Sequence, residues 1–404
     1  MGGELKRPRK IKVLFFETGR QGGSAFRLAS ILARLDASRF EAGFVSYYRD
    51  RAAAALFDIQ GLFCRRSLNV PWYPQPDVFK PLLGLPIPTP FGIYFFLVSL
   101  YVLWRHRPDV AYMNSGMGDF APAILAARLV GTKVICHLRM SSAIDRYEVR
   151  LARHVHRLVA SSKWGARFYQ EQVHGIVPAT CVYEAIDLAR FDARAREPLE
   201  SPLADGPVYV CQVGTLVGRK RPRLAIEAFA IARRTCPHLK LLMVGEGPQR
   251  NELETLLRER RLESEVLLLG HRRDVPALLR RSHIGLLLSE SEGLPNAVLE
   301  YMASGLPVVV TRLPFIDELI RDQHNGVVID HASPEEIAAA MVALARSPEV
   351  RTRMGNDARE LIEDGAFHPD REAHDTGAVL TSVVGTRQVG TSINDVGDLA
   401  TKER

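Results

Sequence analysis

Two glutamates stand at a spacing that could hold a phosphorylated ligand: Glu292 and Glu300 enclose Gly293-Leu294-Pro295-Asn296-Ala297-Val298-Leu299. Glycine at 293 lets the backbone come close to a ligand, and the first free amides of a helix, around Leu294 to Ala297, would point at an anion. Negative charge at a helix start favours the helix but repels a phosphate placed directly on it, so the carboxylates must bind something else. With Glu292 before the helix and Glu300 about two turns in, the pair is offset along the site. Such a pair can accept hydrogen bonds from hydroxyl-bearing groups on either side of a diphosphate. A nucleotide sugar has that layout. The plain alternative makes Glu292 a cap acid and Glu300 a surface residue. Glu300 sits in the mostly apolar run Val298-Leu299-Glu300-Tyr301-Met302-Ala303, which argues against simple solvation.

The elements that must position this stretch are short. Ile284-Gly285-Leu286-Leu287-Leu288 and Val308-Val309-Val310 read as buried strands, and the piece between them as a helix that starts at a proline, Pro295, and is stopped by Gly305. This strand-helix-strand unit, with Glu-Gly-Leu-Pro-Asn from Glu292 and Leu-Glu-Tyr-Met-Ala-Ser-Gly-Leu-Pro-Val-Val from Leu299, resembles the signature of the retaining family-4 glycosyltransferases. The resemblance implies that Glu292 contacts a donor sugar and that Glu300 holds ribose hydroxyls. It gives the diphosphate to the segment Gly293, Leu294, Pro295, Asn296, Ala297. It also implies an α/β fold of the GT-B kind, two Rossmann-like domains facing each other across a cleft.

The whole chain agrees with two such domains. Its 404 residues are long for one core, and 47% hydrophobic with 25% charged residues is ordinary globular composition. The formal charge of +7 suits nucleic acid, an anionic membrane face or phosphate-bearing substrates. The basic residues are scattered, without zinc-finger spacing or a single-strand-binding aromatic motif, so nucleic acid is not expected as a partner. Cys64, Cys136, Cys181, Cys211 and Cys236 are odd in number and widely spaced, and they read as reduced residues of a cytoplasmic protein. The apolar run Val13-Leu14-Phe15-Phe16 is too short for a secretory signal and reads as a first strand.

Along the first half, Thr18-Gly19-Arg20-Gln21-Gly22-Gly23-Ser24 is a glycine-rich turn before a helical pattern from Phe26 to Leu35. It lacks the strict glycine spacing of a dinucleotide fingerprint, which disfavours a nicotinamide enzyme. By resemblance, Gly22 and Gly23 border the catalytic cleft and belong to the donor site. The run Phe91 to Trp104 is followed by Arg105-His106-Arg107 and is apolar on nearly all sides. Three readings stay open for it: a buried helix, an interfacial segment dipping into a membrane, or a span, for which it is short of the about 20 residues a bilayer needs. A lipid-linked acceptor would explain the interfacial reading, with a peripheral membrane contact at the cytoplasmic face.

His137 follows the strand pattern Lys133 to Cys136, at the carboxyl end of a sheet, where ligands bind; a capped or exposed histidine is the alternative. The resemblance places it near the donor sugar as an active-site residue, with Arg139 a weaker candidate. Where the family has Asn-Gly before Ile-Asp, this chain has Glu184-Ala185. Further on, Gly214 to Pro222 is a basic loop between strand and helix, suited either to neutralising a leaving diphosphate or to plain solvation. Lys220 matches the family's lysine, but Thr215 stands where its arginine is expected. Arg219 and Arg221 are the candidates to replace that charge.

Domain organisation follows: 1–195 as the acceptor-side domain, 196–207 as linker, 208–366 as the donor-binding domain, and 367–404 as a return segment with a disordered tail from about Gly385. Arg351 to Ile362 and the part after Pro369 are the candidates for the helix that returns to the first domain. The expected chemistry is transfer of a glycosyl unit from a nucleotide-diphosphate sugar to an acceptor hydroxyl on a glycan or a lipid-linked or other glycoconjugate. His137, Lys220 and Glu292 form the catalytic set, with no metal and no cofactor. The rival readings are a noncatalytic nucleotide-sugar-binding or scaffold protein, and an epimerase or phosphorylase of the same fold.

Overall fold

A computed structural model describes residues 9–18, 23–47, 57–67, 79–82, 85–88, 90–140, 143–201 and 203–385. Gly22 and the tail after Gly385 lie outside them.

The first domain runs through β1 (Ile11–Glu17), α1 (Gly23–Arg34), β2 (Phe40–Ser46), β3 (Arg65–Ser67) and a hairpin of β4 (Phe79–Leu82) and β5 (Leu85–Pro88). It continues with α2 (Pro90–His106), β6 (Val110–Met113), α3 (Ala121–Val130), β7 (Lys133–Leu138), α4 (Arg146–Ala152), β8 (Arg157–Ala160), α5 (Lys163–Gln172), β9 (Ala179–Cys181) and α6 (Leu188–Ala195). Its parallel sheet has the order β3-β2-β1-β6-β7-β8-β9. Helices cover both faces, so strands such as β1 and β7 are apolar along nearly their whole length rather than alternating.

The second domain holds β10 (Val208–Val213), α7 (Pro222–Thr235), β11 (Leu239–Val244), α8 (Arg250–Arg260), β12 (Val266–Gly270), α9 (Val275–Arg280), β13 (Ile284–Leu287), α10 (Asn296–Ala303), β14 (Val308–Thr311), β15 (Gly326–Ile329), α11 (Pro334–Arg346) and α12 (Pro348–Glu363). Its sheet order is β12-β11-β10-β13-β14-β15. Prolines open α7, α11 and α12, where a missing N–H costs nothing because no intrahelical acceptor awaits it.

Each sheet reverses its strand order once at its centre, between β1 and β6 in the first and between β10 and β13 in the second. Loops leaving adjacent strands part in opposite directions there, and the crevice beyond the strand ends is where an open α/β sheet binds ligands. The expected pair of Rossmann-like domains is therefore present, each with one such crevice.

Of the two candidates for the returning helix, only the segment after Pro369 returns. It forms α13 (Pro369–Gly385), which packs on α1 and sends Val379, Leu380 and Val383 into the core made by Val13, Phe15 and Leu28. Arg351 to Ile362 stays with the second domain inside α12, where Gly355 lies against the backbone of Gly305. Other ties join the halves. Glu318 accepts from the Lys163 and Trp164 amides at 2.9 and 2.8 Å, capping α5, and Arg359 grips both oxygens of Asp192 at 2.9 and 2.8 Å.

The helix α2 decides among the three readings of Phe91 to Trp104. No helix among the described residues is long and apolar enough to cross a membrane, which removes the span. Gly92, Phe95, Ser99, Val102 and Leu103 are buried, whereas Phe91, Ile93, Tyr94, Leu97, Tyr101 and Trp104 are exposed. The fully buried reading is therefore corrected as well: only one face of an all-round apolar helix is covered.

Candidate active site

The second crevice is built by the loops leaving β10 and β13. After β10 the chain turns through Gly218–Lys220, and the Lys220 carbonyl accepts from Gln212 Nε2 at 2.9 Å, which fixes the turn against its own strand. After β13 the loop is anchored by Thr311 Oγ1 donating to the Ser289 carbonyl and by the Glu290 amide donating to the Arg219 carbonyl. Both loops are thus held to each other by the protein's own hydrogen bonds. Their side chains meet: the Lys220 ammonium touches Glu292 Oε1, and Arg219 Nη1 lies 3.3 Å from the same oxygen and 3.2 Å from the Ser291 carbonyl.

Arg219 is therefore the residue that brings a second positive charge to Glu292 although Thr215 holds the expected arginine position. Arg221 faces elsewhere, pairing with Glu290 at 3.1 Å.

Pro295 is the N-cap of α10 rather than its first residue. Val298 and Leu299 already bond to the Pro295 carbonyl, while among the described residues the amides of Gly293, Leu294, Asn296 and Ala297 have no protein acceptor. These are the donors an anion would find. Leu294 and Ala297 turn their side chains into the core and so contribute backbone only. The helix is aimed by Tyr301, whose buried hydroxyl accepts from the Val213 amide at 2.7 Å and donates to the Leu286 carbonyl. It ends at Gly305, whose φ of 67° is open to glycine at little cost. Glu300, partly covered on this helix, has its carboxyl pushed up to about 7 by desolvation, with Arg27 and Arg194 pulling the other way.

The first domain meets this unit directly. A Cβ on Gly293 would collide with the carbonyl of Arg139, so glycine is required where the two domains touch. Arg27, on α1, donates to Asn296 Oδ1 at 3.1 and 2.5 Å. Gly23 is the first residue of α1, one turn before Arg27.

Beyond Arg139 lies a row of polar side chains that sequence reasoning largely missed. Glu17, Asn114, Arg139, Ser161 and Glu184 stand at or just past the ends of β1, β6, β7, β8 and β9, which are neighbours in that order in the sheet. Asn114 donates to Glu17 and accepts from the Arg139 guanidinium at 3.0 and 2.8 Å. Glu184 Oε1 accepts from Arg139 at 3.1 Å and from Ser161 at 3.1 Å, and its other oxygen lies 3.7 Å from Arg27. Glu372 of α13 is buried near them, its carboxyl pushed to about 7 by desolvation against the pull of Arg27 and Arg139. The signal for the row was there to read: each member is among the first polar residues after an apolar strand.

His137 lies inside β7 rather than after it, fully buried on the Tyr112 side of the sheet. Its Nδ1 shares a 2.7 Å hydrogen bond with the Tyr112 hydroxyl, and Nε2 has no partner among the described residues. Burial, with Arg139 acting in the same direction, holds its pKa far below the ordinary value, so the imidazole is neutral. The structure places it behind the polar row, not at the surface of the cleft. No group of three His, Cys, Asp or Glu side chains that could hold a metal ion occurs among the described residues.

With this geometry in place, the comparisons with known proteins are consistent. Residues 194–361 match the family model described as glycosyl transferases group 1. The alpha-D-kanosaminyltransferase of Streptomyces kanamyceticus is 25% identical over 325 residues, 69% of this chain and 82% of that protein. The UDP-Gal:alpha-D-GlcNAc-diphosphoundecaprenol alpha-1,3-galactosyltransferase of Escherichia coli is 25% identical over 67% of this chain and 74% of its own length. Among solved structures, HepE of Anabaena in complex with UDP superposes with a TM-score of 0.70 at 17% identity, covering 92% of this chain and all of that one.

Proposed function

We propose that this chain, a group 1 glycosyltransferase of the GT-B fold, moves a sugar from a nucleotide-diphosphate donor to a hydroxyl of a glycan or lipid-linked acceptor, with retention of anomeric configuration. The observation that carries the reading is the convergence of Lys220, Arg219, Glu292 and the free amides at the start of α10 in one crevice facing the first domain.

As the bond to the anomeric carbon breaks, negative charge grows on the leaving diphosphate. Lys220 and the amides of Asn296 and Ala297 are fixed where they can meet that charge without reorganising, a form of catalysis that needs no metal. Glu292, held between two cations, orients the donor sugar; Glu300 accepts from the ribose hydroxyls. No side chain is assigned as a covalent nucleophile, so the acceptor attacks the face the diphosphate leaves. His137, with Tyr112 donating to Nδ1, acts from behind the polar row, as a support for Tyr112 and β7 rather than by contact with the sugar. Contact between the domains at Gly293 excludes water and limits donor hydrolysis. The lipid-linked acceptor class, and with it a working position at the cytoplasmic face of a membrane, is supported by the name of the Escherichia coli relative and by the uncovered face of α2.

The test is a donor screen on the purified protein, following nucleoside diphosphate released from UDP-, GDP- and ADP-sugars with and without a lipid extract, and the anomer of the product by NMR. Turnover of one donor, unchanged by EDTA, with the α product from an α donor, is the expected result. A folded protein that binds no donor moves the scaffold reading ahead.

Two further outcomes follow. Gly293→Ala forces its methyl group into the Arg139 carbonyl and holds the domains apart; misplacing reacting groups by about 1 Å costs on the order of a hundredfold, so kcat should fall by that factor while circular dichroism and donor-domain stability stay as in the parent. For Glu300 the sign of the pH dependence is set by its raised pKa. The folded protein holds the proton up to about 7, so the carboxylate that accepts both ribose bonds is present only above that pH. Donor affinity should rise between about pH 6 and 8 and be flat in Glu300→Gln. The same group lends stability below its unfolded value of 4.5 that is lost as the pH climbs to about 7.

A further inference from the structure

The uncovered face of α2 and the groove at its end point to a specific occupant, and the inference deepens the membrane contact of the reading above. Tyr94, Leu97, Tyr101 and Trp104 recur three, four and three residues apart, one stripe along the helix, and are between 44% and 58% exposed. The buried residues Phe95, Ser99, Val102 and on the other side Gly92 and Leu103 form the stripe that faces α3. An ordinary outer helix of an α/β domain shows water a polar face. This one shows aromatics and leucine, and α2 carries no carboxylate anywhere along its length.

The stripe does not end at Trp104. It runs into a groove of about 770 Å³ whose lining includes Trp104, Leu129, Arg9, Lys10, Arg107 and Lys133. Four of those side chains are cationic, and Asp109, bonded to Arg9 at 2.9 Å, is the carboxylate in the lining. Leu129, on α3, is 67% exposed beside them. Along the stripe Arg66 lies over the Tyr101 ring at 5.7 Å, adding a further cation at its edge. Tryptophan and tyrosine favour the boundary between acyl chains and headgroups, and lysine and arginine around them meet lipid phosphates.

We propose that this surface docks the protein on a bilayer of anionic phospholipid, with Tyr94, Leu97, Tyr101 and Trp104 entering the headgroup boundary and the basic groove taking lipid phosphates. The groove lies at the starts of β1, β6 and β7, at the opposite end of the sheet from the polar row, so docking does not occupy the cleft. Charge decides between occupants. A second copy of this chain, itself carrying +7, would bring like charge to a cationic groove, whereas an anionic bilayer brings the opposite.

The experiment is co-sedimentation of the full chain with vesicles of phosphatidylcholine alone and with about a third phosphatidylglycerol, beside light scattering of the protein alone. Binding to the mixed vesicles, weakened by 0.5 M salt, and little binding to the neutral ones is expected. Each basic side chain near such a surface is worth about fivefold in partition, so Lys10→Glu with Arg107→Glu and Lys133→Glu should lower binding by more than about a hundredfold. Leu97→Ser with Trp104→Ser should lower it on both vesicle types. In both variants donor hydrolysis in solution should match the parent, which separates loss of docking from loss of the enzyme. Equal binding to neutral and anionic vesicles, binding to neither, or a dimer dispersed by Trp104→Ser overturns the proposal.

Discussion

Lys220→Ala is expected to lower kcat about a thousandfold while changing donor KM far less. The ammonium sits in a crevice with only a small part of its side chain open to water, so charge met there is weakly screened. Removing one preorganised donor to a developing oxyanion costs on the order of a hundred- to a thousandfold. The upper end applies because the substitution also leaves Glu292 with Arg219 as its remaining partner, at 3.3 Å, so a carboxylate faces the site with half its compensation. The measurement is steady-state release of nucleoside diphosphate with saturating donor. Lys220→Arg should recover part of the loss, since charge returns in a bulkier and differently shaped head. A parent-like kcat in Lys220→Ala would remove this lysine from the reaction.

Glu184→Ala should destabilise the first domain by about 3–5 kcal/mol, the range for breaking a buried ion pair from one side. Glu184 and Arg139 are 6% and 7% exposed, and Arg27 lies within ion-pair reach of the same carboxylate. Taking the carboxylate away leaves two guanidiniums desolvated, with Asn114, Glu17 and Glu372 as what remains. Urea unfolding followed at the domain's own transition gives the number. Glu184→Leu combined with Arg139→Leu should recover most of it, because removing both charges removes the desolvation along with the attraction. A cost below about 1 kcal/mol for the single variant would mean that water reaches the pair.

These two residues mark what the sequence could tell and what it could not. Glu292 and Glu300 fall within one loop and the helix that follows it, Lys220 lies in the loop after β10 that the pairing of β10 with β13 sets beside them, and the surrounding apolar runs, opening prolines and Gly305 announce each element. The polar row is different. Glu17, Asn114, Arg139, Ser161 and Glu184 become neighbours only because parallel strands bring distant loops to one edge, and nothing local in the chain says that Glu184-Ala185 is the hub of a charge network. The departure from Asn-Gly was visible; its partner was not. His137 was placed at the right sheet edge, but whether a histidine there faces a cleft or lies behind a row of side chains depends on its neighbours' contacts. For α2 the composition was plain and the covering was not, since apolar residues on every side say nothing about which side finds a partner.

The return of α13 to the first domain sets an order of assembly. Val379, Leu380 and Val383 complete a core begun by Val13, Phe15 and Leu28, and Glu372 completes the charges around Arg27. Chains are made from the amino terminus onward, and domains usually fold in that order. Here the domain that leaves the ribosome first is closed by almost the last described residues to be made. Until they emerge, β1, α1 and β2 have an open apolar flank, while the core of the second domain is filled by the time Phe367 has been made. The second domain can therefore be finished before the first, and a stop codon anywhere between Pro369 and Val383 would spoil the domain farthest from it in sequence.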